Sequence, residues 1–99
     1  MSKLAELLKE IKDENLTKES LDQYYSALSL LRGDVRIELA GIQKEKAMFM
    51  LEDAEKSVAQ RKINWQAGEK GQREIDLKAY ISSMGDALGS VKTRIYALL

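Results

Sequence analysis

The 99 residues carry 16 basic and 16 acidic side chains, no histidine, no cysteine and no proline. Without histidine or cysteine, the chain lacks the commonest general base, the usual transition-metal ligands and the thiol nucleophile, and it holds no disulfide framework. A length near 100 residues sets one domain, 1–99, and a thin core, while a charged, Leu/Ala/Lys/Glu-rich composition without period-two alternation or hairpin dipeptides is that of long helices.

In chain order, the first predicted helix covers residues 3–13, with Leu4, Leu7, Leu8 and Ile11 on one face. Its charges recur every few residues, so it is not read as a signal peptide. Thr17 is a good N-cap for the second element, with Glu19 favourably placed in the first turn. Apolar positions then run Leu21, Tyr24, Leu28, Leu31, Val35, in steps of 3, 4, 3 and 4. That spacing is a heptad seam. A stutter follows at Leu39, Ile42, Lys46 and Phe49, and the stripe re-forms at Ala47, Leu51, Ala54 and Val58. Gly33 and Gly41 lie inside this pattern, each costing about 1 kcal/mol against alanine, and are the points at which the helix, read as 18–66, would bend or break if it is not continuous. Ala67-Gly68-Glu69-Lys70-Gly71 is the turn candidate. A last helix over 72–98 has the most regular seam: Leu77, Ile81, Met84, Leu88, Val91, Ile95, Leu98.

These lengths predict an all-α fold: a long, coiled-coil-like antiparallel hairpin with a short N-terminal helix. A continuous helix over 18–66 is about 73 Å long and the last helix about 40 Å. A hairpin closed at 67–71 covers only residues 40–66 of the long helix. The seam Leu21, Tyr24, Leu28, Leu31 and Val35 is left bare, and it is the expected interface of a homodimer with a helical bundle at its centre. The competing arrangement breaks the helix at Gly33 or Gly41 and folds back as a compact monomer.

Few patterns carry chemistry. Glu38, Glu45 and Glu52 recur every seven residues. A carboxylate row can bind a divalent cation, but without Glu-x-x-His the favoured reading is a solvated face pairing with Lys44, Lys46 and Lys56. No phosphate-binding glycine loop is present. The chain is read as a non-enzyme without cofactor or metal. Charge is uneven: residues 1–55 balance to −4, while 56–73 balance to +4, with Lys56, Arg61, Lys62, Lys70 and Arg73 against Glu69. With Trp65 among them, these cations form a candidate partner or nucleic-acid contact, since cations neutralise phosphates and an aromatic stacks a base. The competing reading has Trp65 closing the hairpin end and cations settling at a helix C-terminus.

Gly85 and Gly89 make a Gly-x-x-x-Gly beside the seam, read as a tight helix crossing ahead of a docking groove. Arg32-Gly33-Asp34 spells an adhesion tripeptide but sits mid-helix and is read as chance. Met48, Phe49 and Met50 form an adaptable apolar cluster, read as a broad dimer core ahead of a partner patch.

The C-terminal part of the chain, from Ile63-Asn64-Trp65 through Gly71-Gln72-Arg73-Glu74-Ile75-Asp76-Leu77-Lys78 to Ser90-Val91-Lys92-Thr93-Arg94-Ile95-Tyr96, resembles small all-helical accessory proteins of tailed bacteriophages. The resemblance implies expression in the cytoplasm of an infected bacterium and action by contact with a phage or host protein, or with DNA. It carries over no binding residue. Three functions are consistent with these readings. The first is a non-enzymatic interaction protein that modulates a bacterial or phage protein, such as an inhibitor of host defence. The second is an accessory protein for single-stranded DNA in recombination or replication. The third is a structural or assembly helper. No membrane partner is expected, because the most apolar stretch, 79–98, contains Asp86, Lys92 and Arg94.

Overall fold

A computed structural model describes residues 2–52 and 55–99, with Ser2 described in its backbone only. Four helices follow in order: α1 Ser2–Ile11, α2 Lys18–Glu52, α3 Val58–Ala67 and α4 Glu69–Ala97. The described residues contain no strand. The molecule is a rod of 60 × 18 × 17 Å. Helix α2 alone accounts for most of that length, since each helical residue rises by about 1.5 Å.

Local chemistry sets the helix ends. Thr17 caps α2 as its spacing predicts: its Oγ1 accepts from the Ser20 N–H at 3.2 Å, and its carbonyl accepts from Leu21. Ser57 caps α3 in the same way, its Oγ accepting from the Gln60 N–H at 3.1 Å. Gly68 separates α3 from α4, and Gln72 Nε2 donates to the Gln66 carbonyl at 2.7 Å, satisfying a free acceptor near the α3 terminus. Arginines from later helices occupy two other C-terminal ends. Arg94 donates to the Ile11 carbonyl and, at 2.5 Å, to that of Asp13. Arg61 donates to the carbonyl of Met50. Both place a cation where the helix dipole is negative.

Helix α2 packs antiparallel on α4. Arg32 lies against Gly85, Glu38 pairs with Arg73, and Glu45 with Lys70, so one helix ascends as the other descends. The core joins Leu21, Leu28 and Val35 of α2, spaced by seven, to Leu77, Met84, Leu88 and Val91 of α4. Helix α1 closes the groove between them at one end with Leu4 and Ile11.

This register differs from the expected one. The long helix ends at Glu52 rather than at 66, and the chain turns back before α3, so 67–71 is a bend between α3 and α4 rather than the hairpin. The earlier reversal slides α4 along α2 until it covers Leu21, Leu28 and Val35. These three are therefore core residues within one subunit, not a dimer interface, and Tyr24 and Leu31 lie half-buried beside them. The argument for a dimer through that seam loses its premise. The alternative break at Gly33 or Gly41 does not occur: α2 runs through both, and a Cβ added at either would meet nothing within 4 Å. In the expected re-formed stripe, Ala47, Leu51 and Val58 are exposed, while Ala54 lies outside the described residues.

Candidate partner-contact site

The cations and the tryptophan expected at the hairpin tip do gather at one end of the rod, where α3 crosses from α2 to α4. Most are engaged inside the chain. Trp65 is only 5% exposed. Its ring centroid lies 5.5 Å from that of Phe49 at a tilt of 54°, and its Nε1–H donates to Glu74 Oε1 at 3.3 Å. A buried indole held this way cannot stack a base. Arg61 is committed to the end of α2. Lys70 pairs with Glu45 at 2.9 Å, and Arg73 makes a two-pronged bridge to Glu38 at 2.9 and 3.0 Å. Those hydrogen bonds to Glu38 hold the Arg73 guanidinium above its usual range; desolvation opposes them, and the negative charge of Glu38 adds to them. Lys56 and Lys62 are exposed, and Lys56 lines a groove with Phe49, Glu52, Arg61 and Asn64.

Glu38 and Glu45 thus pair with cations at the start of α4, whereas their spacing suggested lysines of their own helix. Of those lysines, Lys46 turns to a different acid, Glu74. Among the described residues no group of three acidic side chains is placed to hold a metal ion.

The sequence does not single out Glu74, yet this residue organises the end of the rod. It is 4% exposed, and its Oε1 accepts from Lys46 Nζ at 3.1 Å as well as from Trp65. Among the described residues its Oε2 has no hydrogen-bond partner, with Lys78 Nζ at 3.9 Å. A buried carboxylate needs such partners to offset lost hydration. The node ties α2, α3 and α4 at one point. Spacing could have exposed it, because Glu74 falls three residues before the core residue Leu77 and therefore on the packed face.

At the other end, Tyr24 lies beside α1. Desolvation first, and then Glu10, raise its phenol above the ordinary value. Of the glycine pair, Gly85 makes room for Arg32, whose Nη2 would lie 3.3 Å from an added Cβ; Gly89 has open space. The pair is therefore packing at one position and no closed crossing at the other. Arg32-Gly33-Asp34 stays within α2. Phe49 and Met50 are half-buried and Met48 is 60% exposed, so that cluster divides between core and surface.

Large apolar side chains remain at the surface. Leu30, Ile37, Met48 and Leu51 on α2, and Val58 and Ile63 on α3, are each more than half exposed. No protein-family model, curated protein or solved structure matches the chain. No helix among the described residues is long and apolar enough to cross a membrane.

Proposed function

We propose that this chain is a non-enzymatic interaction protein, phage-encoded and acting in the bacterial cytoplasm, that binds and modulates a bacterial or phage protein. The observation that carries the reading is the exposed apolar side chains at the α3 end of the rod, Met48 of α2 with Val58 and Ile63 of α3. Large apolar side chains left exposed at one end of a small molecule are candidates for contact with a partner. The resemblance of the C-terminal part of the chain to phage accessory proteins supports the setting. Host defence enzymes are the class of target to test first.

The reading is tested by capturing the tagged chain from phage-infected bacteria alongside the variant Val58→Glu/Ile63→Glu, altered at two exposed positions of α3. The expected result is one defined protein that co-purifies with the wild type and is lost with the variant, whose circular dichroism is unchanged. Recovery of the chain alone, or with capsid components only, counts against it.

A further inference from the structure

Helix α2 carries two seams, and only one is covered. Leu28 and Leu30, two residues apart, point about 200° from each other around the helix. The first is fully buried and the second is 74% exposed. Starting from Leu30, the outward face repeats every seven residues: Leu30, Ile37, Lys44, Leu51. Four residues before each member stands a small one: Ser26, Gly33, Ala40, Ala47. All eight are exposed, Ile37 by 74% and Leu51 by 80%. Both seam positions of a coiled-coil heptad are therefore occupied from Ser26 to Leu51, with large and small residues strictly segregated. The glycine at 33 meets no atom of its own chain within 4 Å of a Cβ position. Its lack of a side chain serves nothing inside the subunit.

We infer that this face pairs with the same face of a second copy of the chain, the two α2 helices running antiparallel. Segregation decides the direction. In a parallel pair, like positions meet: Lys44 would face the partner's Lys44, and Gly33 the partner's Gly33, giving a charge clash in one layer and a void in another. In an antiparallel pair, large positions meet small ones. Leu30 packs on the partner's Ala47, Ile37 on the partner's Ala40, Lys44 on the partner's Gly33 and Leu51 on the partner's Ser26. One register satisfies all four contacts at once, and the two-fold axis generates four more. The flanking charges agree: Arg36 comes beside the partner's Gln43 and Asp34 beside the partner's Gly41, with no like pair. Small residues in every layer let the backbones approach closely, and the single lysine fixes the register.

The seam is about 38 Å long and one helix, about 10 Å, wide. It buries on the order of 400 Å² per copy, below the usual size of a stable interface. The dimer is therefore weak and concentration-dependent, half-populated on the order of 100 µM.

Sedimentation equilibrium from about 10 µM to about 1 mM, bracketing that midpoint, tests this. The wild type should rise from 11.2 kDa towards twice that mass. Gly33→Leu should stay monomeric while keeping its helix content, because the open space at Gly33 accepts a side chain within the subunit. Ile37→Glu should behave the same way. Direction is read from a spin label at Lys18→Cys, in a chain with no native cysteine. Antiparallel pairing puts the two labels about 60 Å apart, and parallel pairing puts them side by side. A wild type that never exceeds the monomer mass over that range, a dimer unaffected by Gly33→Leu and Ile37→Glu, or a short label distance overturns the inference. So does a monomeric wild type whose foreign partner is lost with Ile37→Glu, which would assign the face to that protein.

Discussion

Glycine acts in opposite ways at positions 71 and 33. A Cβ added at Gly71 would overlap the Trp65 carbonyl oxygen and stand 2.7 Å from its carbon, both backbone atoms that cannot step aside. The residue therefore holds α3 against the start of α4 and seats the indole over Glu74. Gly71→Ala is expected to lower stability by about 1–3 kcal/mol, measured by urea denaturation, with Trp65 emission shifting to longer wavelength as the ring is wetted. Gly33→Ala and Gly41→Ala meet nothing and should raise stability by about 1 kcal/mol each through helix propensity alone. A sequence places all three as helix breakers, because it shows the missing side chain and not the neighbour. Glu74 is hidden for a related reason: its charge suggests solvent, and only the packed face supplies Lys46 and Trp65 as partners.

At the scale of elements, the seam of α2, the Thr17 cap and the faultless run from Leu77 to Ile95 are legible in the sequence, because periodicity and capping are local signals. The reversal after Glu52 is not. There is no glycine or proline among residues 53–57, whereas 67–71 contains two glycines. The available signal is Ser57-Val58-Ala59-Gln60, the spacing of a capping box; Ser57 does accept from the Gln60 amide, while the Gln60 side chain turns instead to Asn64 at 3.0 Å. A hairpin placed at 67–71 instead shifts the register of α4 and turns core residues into an apparent interface. The two seams of α2 predict opposite outcomes for chemically equal changes. Leu28→Ala should cost about 2–5 kcal/mol and Leu28→Glu should unfold the chain, since that side chain has no exposure. Leu30→Ala, two residues on, should lie within about 0.5 kcal/mol in dilute solution. Urea midpoints measured at low micromolar concentration compare them; equal losses at both positions would contradict the burial pattern.

For the whole molecule, the uneven charge of the chain is resolved by its fold. The acidic first half and the basic stretch 56–73 are opposite arms of an antiparallel structure, so folding lays one on the other, and Lys70 and Arg73 reach Glu45 and Glu38. Each such exposed pair adds little to stability because water screens it, yet together they remove two cations from any surface a phosphate backbone would meet. Arg61 is engaged at a helix end and Trp65 in the interior. A net charge of zero adds no long-range attraction. The wild type is therefore expected to leave a fluorescent single-stranded oligonucleotide unbound even at low salt. Glu38→Ala with Glu45→Ala should release Arg73 and Lys70 and create weak binding whose strength falls steeply as salt rises, because freed cations neutralise phosphates by displacing counterions. Arg61→Ala separates the two readings of that residue. If Arg61 holds the end of α2, its loss lowers thermal stability and changes nothing in an oligonucleotide titration; if the wild type binds and this variant does not, the basic end is a nucleic-acid surface and the contact-protein reading gives way to it.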